Sequence, residues 1–153
     1  MYRIYLDANV TIYLVQNTPN APQVRTYLQA QVDSILCSSN LSLLECLVLP
    51  FQQANRHLQQ RFYTFFQSLE LIPARRQVFL RAAQIRAATR LRTPDALHLA
   101  FAAMASAMCC SQAMLRWGRS GSRAVLDLYQ SRSQSSLIAR QTRQRLPYPI
   151  PTH

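Results

Sequence analysis

Short apolar and aromatic runs ("YRIYL", "SILCSS", "ELIP") stand apart in this chain, with longer segments of helical spacing between them. That alternation limits the fold more than any other feature. A strand that is apolar on both faces must be covered on both faces. Strands separated by helix-length connections pair in parallel, with the helices packed over the sheet. The reading is α/β, three layers, with a short parallel sheet in the middle. In such sheets function gathers at the carboxyl ends of the strands, and Asp7 stands directly after the first run.

Residues 2–6 read as a buried strand, and Val10 to Val15 as a short helix or a further extended segment. "NTPNAP" is a loop. "QVRTYLQAQV" has apolar residues at 24, 27, 28 and 32, the spacing of one buried helix face. A second strand is expected from Ser34 to Cys37, then a helix through "LSLLECLVLP" to Pro50. The next helix carries apolar residues at 58, 62, 65, 66 and 69. "ELIP" gives a third strand, and "RRQVFLRAAQIRAATRL" a helix with apolar positions 78, 79, 82, 85 and about 89. In "TPDALHLAFAAMASAM", Thr93 reads as the N-cap and Pro94 as the first helical residue of a helix to Met108. After Met108 the pattern fails. Residues 1–115 are expected to form one domain and 116–153 an atypical, poorly packed basic tail in which only "AVLDLY" resembles a strand.

No apolar run is long enough to cross a bilayer, and the first residues lack the pattern of a signal peptide, so the chain reads as soluble and cytoplasmic. Cys37, Cys46, Cys109 and Cys110 lack zinc-site spacing and read as buried free thiols. The formal net charge is +11, from 17 basic residues, all arginine, against six acids. Such an excess suits a polyanionic partner. Seven of those arginines lie from Arg116 onward, however, which weakens the inference for the folded part.

With six acids, each can be weighed. Asp33 and Glu70 sit at element boundaries and read as solvated charge; Asp127 lies in the tail. Asp7, Glu45 and Asp95 remain, each in apolar surroundings. Glu45 is flanked by Leu41, Leu43, Leu44, Leu47, Val48 and Leu49. A carboxylate facing into protein must be protonated, paired or bound to a cation. Asp95 reads equally as an acid favouring the helix dipole or as a ligand. Three carboxylates at one place would suit Mg²⁺ or Mn²⁺ and the hydrolysis of a phosphodiester.

These residues resemble the PIN domain, the nuclease domain of VapC-type toxins. "YLDANV" resembles its opening strand and first acid, "SNLSLLECLV" the helix with the second, and "LRTPDALHLAFA" the segment with the third. The likeness covers about residues 2–103, roughly two thirds of the chain. It implies a PIN-like fold with Asp7, Glu45 and Asp95 as metal ligands and catalytic residues, and Asn9 in support. It also implies an Mg²⁺- or Mn²⁺-dependent endoribonuclease with an RNA substrate, a cognate antitoxin and a homodimer. The apolar face of residues 58–69 would serve either that dimer or the core. Ser42 reads as a surface hydroxyl at the pocket rim and His98 as a packing histidine. Arg90 and Arg92 would hold RNA phosphates or be solvated helix-end charge.

The family usually continues with a buried strand ending in a Thr-x-Asp element that brings a fourth acid. No acid occurs here between Asp95 and Asp127. Reading each codon of Ala107 to Leu115 from its third base permits Val-Leu-Phe-Thr-Gly-Asp-Ala, the absent element. The expectation is a frameshift between Leu99 and Met108, with the last strand and fourth ligand lost and activity impaired. The alternative function is a basic module that binds nucleic acid or an antitoxin without cleaving.

Overall fold

The computed structural model describes residues 2–110. The first strand, β1 (Tyr2–Leu6), leads into α1 (Ala8–Gln16) and α2 (Ala21–Gln29); β2 (Ser34–Ser39) leads into α3 (Asn40–Gln52) and α4 (Arg56–Gln67). After β3 (Glu70–Ile72) come α5 (Arg76–Thr89), α6 (Thr93–Met104) and β4 (Ala107–Cys110). The four strands form one parallel sheet in the order β3-β2-β1-β4, with Ile4 opposite Leu36 on one side and Met108 on the other.

Being central, β1 is covered on both faces, and Ile4, Tyr5 and Leu6 are each fully buried. Alternation sends them opposite ways. Ile4 and Leu6 pack with Val10 and Val24 beneath α1 and α2. Tyr5 faces α6, its ring stacked on Phe101 at 6.3 Å between centroids. Each such side chain contributes about 1.5–3 kcal/mol by leaving water. A second cluster joins Ala8 and Val15 of α1, Cys46 and Leu47 of α3, and Phe62 and Phe66 of α4. Leu58, Phe65 and Leu69 pack against the clusters, so the apolar face of residues 58–69 is spent on the core of one chain.

Several boundaries differ from the sequence reading. The open segment after Asp7 is helical, because the Asp7 side chain caps it. The α2 helix ends at Gln29, which leaves Val32 exposed instead of on the buried face. On α5, Val78, Ala82 and Ile85 are buried but Phe79 is exposed. The cap of α6 is Arg92 rather than Thr93, and the helix stops at Met104. Ser106 then takes the left-handed region (φ 51°) and turns the chain back to the sheet. There β1 still has an unpaired edge whose N–H and C=O groups a strand can satisfy. The β4 strand fills that place, so a fourth strand is formed where the tail was expected to begin failing. The region 116–153, "AVLDLY" and Asp127 lie outside the described residues. Among the described residues no helix is long and apolar enough to cross a membrane. Cys37 and Cys46 are free and buried, as expected.

The α3–α4 corner is closed locally. The Asn55 amide donates to the Pro50 carbonyl at 2.9 Å and the Ala54 amide to Phe51 at 3.0 Å, with Ala54 left-handed at φ 50°. This is a helix ending of the kind that normally takes glycine. Asn55 then caps α4, its Oδ1 accepting from the Leu58 amide at 3.0 Å.

Candidate functional site

Parallel pairing decides where the acids go. All four strands end at one edge of the sheet, so β1 delivers Asp7 there and β2 delivers the start of α3, which carries Glu45. Because α6 must run back to the opposite edge before entering β4, its first turn, with Asp95, also begins at the carboxyl edge. Asp7 is buried, and its Oδ1 accepts from the Val10 amide at 2.8 Å. Glu45 is half-buried, while Asp95 and Asn9 are exposed. Arg90 and Arg92, in the connection before α6, are exposed as well.

A buried hydroxyl and imidazole network underlies these acids. The Tyr5 hydroxyl lies 2.6 Å from Ser39 Oγ, 3.4 Å from Ser42 Oγ and 3.0 Å from His98 Nδ1. The other ring nitrogen, His98 Nε2, lies 2.9 Å from Glu45 Oε2. Ser38 and Ser42 both donate to the Leu6 carbonyl, at 2.8 and 3.3 Å. The last turn of β1 is thereby tied to β2 and α3 through side chains as well as through the ladder.

Cys46 reports on the charges around it. Its thiol donates to the Ala8 carbonyl at 3.6 Å. Burial, and then the negative charges of Glu45 and Asp7, push its pKa up to about 12. Asp7 and Glu45 thus lie close enough to act on one sulfur atom, and that sulfur stays protonated at neutral pH. The oxygens carried to this edge, those of Asp7, Glu45, Asp95 and Asn9, are hard donors of the kind that suits Mg²⁺ or Mn²⁺.

Asp7 and Glu45 both act on Cys46, and Glu45 meets the Asp95-bearing helix through His98. The three acids do not close up: among the described residues, no three His, Cys, Asp or Glu side chains are grouped so as to hold an ion. Two readings of single residues change. Ser42 is fully buried and bonded, not a surface hydroxyl. His98 does more than pack, since both its nitrogens have polar partners. Its only sequence signal was its place one turn after Asp95; its partners are 93 and 53 residues away.

A separate shallow groove of about 520 Å³ runs between α1 and α4, lined among others by Leu14, Val15, His57, Arg61 and Phe65. It holds no carboxylate and is not part of this site.

Comparison with known proteins bears on the whole arrangement. Several solved structures share the fold, three of them as follows. A toxin–antitoxin complex from Klebsiella pneumoniae aligns at a TM-score of 0.59 and 20% identity, over 71% of this chain and 85% of that one. VapBC2 from Rickettsia felis, solved with a DNA fragment from its promoter, aligns at 0.59 and 16%, over 74% and 92%. VapC20 of Mycobacterium tuberculosis, a toxin that cleaves the sarcin–ricin loop, aligns at 0.56 and 14%, over 75% and 95%. No curated protein matches the chain. The family described as "PIN domain" matches residues 4–108. That span includes Asp7, Glu45 and Asp95 and covers well over half of the sequence: the chain belongs to the PIN domain family.

Proposed function

We propose that this chain is a divalent-metal-dependent ribonuclease, the toxin partner of a cognate antitoxin in the cytoplasm. The observation that carries the reading is the meeting of three acid-bearing elements at one sheet edge within a PIN domain. Asp7, Glu45 and Asp95 would hold Mg²⁺ or Mn²⁺, with Asn9 orienting a carboxylate or a water through its amide. The bound cation supplies positive charge that acidifies water and neutralises a phosphate. The chain's own contribution is alignment. Asp7 is fixed by its bond to Val10, Glu45 by its bond to His98, and the exposed Arg90 and Arg92 offer guanidinium groups to RNA phosphates. The toxin–antitoxin complexes that share the fold support an antitoxin partner.

A second reading is a basic module that binds without cleaving. It is favoured by the lack of a closed three-donor group among the described residues and by the lack of any acid between Asp95 and Asp127. A frameshift would account for that missing fourth acid, although β4 already supplies a fourth strand at 107–110 in the present frame. The coding DNA decides this point, because a closed alternative frame, or one without a Thr-x-Asp run, removes it.

The functional test is cleavage of single-stranded RNA by the purified chain in Mn²⁺ and in EDTA. Cleavage that EDTA stops and Asp7→Asn abolishes supports the nuclease. Salt-sensitive binding without cleavage supports the module.

A further inference from the structure

We propose that His98 is a positioning residue that clamps the Glu45 carboxylate, and that Tyr5 in turn fixes the His98 ring. The inference rests on Glu45 being a ligand of the site described above.

Glu45 leaves α3 half-buried, a flexible side chain whose head could point to water in several rotamers. His98 limits that choice. It is 8% exposed and projects from α6, a different helix. An ionised carboxylate only accepts hydrogen bonds, so the 2.9 Å contact requires the proton on Nε2. Nδ1 then faces the Tyr5 hydroxyl at 3.0 Å, and the Tyr5 ring is itself fully buried and stacked on Phe101. Ser39, the N-cap of α3, lies 2.6 Å from the same hydroxyl. The relay therefore begins in the central strand, at Tyr5, and ends on α3, at Glu45. Tyr5, Ser39 and His98 are buried polar groups with partners and Glu45 is half-buried, the setting in which such networks rigidify a site. A histidine that only filled space would need one apolar face. This one uses both nitrogens.

Two substitutions separate clamp from filler. The amide nitrogen of glutamine reaches about as far as Nε2; that of asparagine reaches only as far as Nδ1. In the full chain, His98→Asn should weaken Mn²⁺ binding, read by electron paramagnetic resonance of the free ion, about 10- to 100-fold. His98→Gln should recover most of that loss, and Tyr5→Phe should cause a smaller loss in the same direction. In RNA cleavage the loss should fall on kcat rather than KM. Equal Mn²⁺ affinity in wild type, His98→Asn and His98→Gln, with changes confined to thermal stability, overturns the clamp. Should His98→Asn fail to fold, His98→Gln and Tyr5→Phe carry the comparison. Should the wild type bind no Mn²⁺ and cleave no RNA, the functional reading fails separately. The clamp is then read on the metal-free chain by long-range proton–nitrogen NMR. A protonated, hydrogen-bonded Nε2 that shifts in Glu45→Gln supports it, and an unprotonated Nε2 overturns it.

Discussion

The backbone amide of Val10 donates to Asp7 Oδ1 at 2.8 Å, which makes Asp7 the N-cap of α1. A carboxylate after a buried strand is thus tolerable before any ion is considered, because it satisfies an orphan amide and faces the positive end of a helix. The capping role and the proposed ligand role can be told apart. Asparagine caps as well as aspartate, and alanine does not. Asp7→Ala should lower stability by about 1 kcal/mol. Asp7→Asn should keep the melting curve of the parent to within a few tenths of a kcal/mol while abolishing RNA cleavage. Denaturant melts and cleavage of the same preparations check both halves. An Asp7→Asn chain that still cleaves would leave the residue with its capping role alone.

The parallel sheet, its three first strands and the three acids were legible because each depends on local pattern: apolar runs of strand length, helical spacing between them, and charge in apolar company. Parallel pairing makes it feasible for the elements that carry Asp7, Glu45 and Asp95 to share one edge, and no more than that. The links among them were not legible, because they run through residues with no local signal. Tyr5 reads as one more apolar strand position, and Ser42 as a polar residue in a helix; only the fold brings Ser42 to the Tyr5 hydroxyl and that hydroxyl to His98. The end of α6 was misjudged for a related reason. "AFAAMASAM" has helix propensity throughout, but the open edge of β1 draws residues 107–110 into the sheet. Tertiary pairing overrode a local preference there.

The buried thiols should resist alkylation and make the fold sensitive to high pH. Burial, together with the nearby Glu70 charge, raises the Cys37 pKa to about 11; burial, Glu45 and Asp7 raise that of Cys46 to about 12. An unfolded thiol titrates near its ordinary value of 9.0. Above that value the unfolded chain gives up protons that the native chain keeps, so stability falls with rising pH. The contribution is intact below about 9 and is lost as pH climbs through the folded values. Urea melts near neutrality and near pH 10 should show a drop that Cys46→Ala reduces. Iodoacetamide at neutral pH should leave the Cys37 and Cys46 peptides unmodified by mass spectrometry until denaturant is added.

Ala54 marks a place where the chain can be made more stable. Both glycines of the sequence lie beyond residue 117, so the left-handed position that ends α3 falls to an alanine at φ 50°. That region costs an L-residue about 1–2 kcal/mol and costs glycine little. Glycine's greater freedom in the unfolded chain offsets part of the gain. Ala54→Gly should therefore raise stability by about 0.5–1 kcal/mol and the melting temperature by a few degrees. Both Asn55 bonds, to Pro50 and from Leu58, stay in place. Calorimetry decides it. A lower melting temperature would mean that the corner does not hold Ala54 in the left-handed region.

Phe62 and Phe79 separate the core from the surface that a second copy could use. Phe62 is fully buried in the cluster that joins α1, α3 and α4, whereas Phe79 on α5 is 52% exposed. Phe62→Ala removes a close-packed ring and should cost about 3–5 kcal/mol, a large part of the 5–15 kcal/mol typical of a domain. Phe79→Ala should change the stability of the single chain by no more than about 0.5 kcal/mol. If the face of residues 58–69 were instead reserved for a dimer, the Phe62→Ala defect would grow with dilution, because mass action would govern it. Packing within one chain predicts the same loss at every protein concentration. Melts across a wide range of dilution distinguish the two, and a concentration-dependent Phe62→Ala defect would return that helix face to the interface.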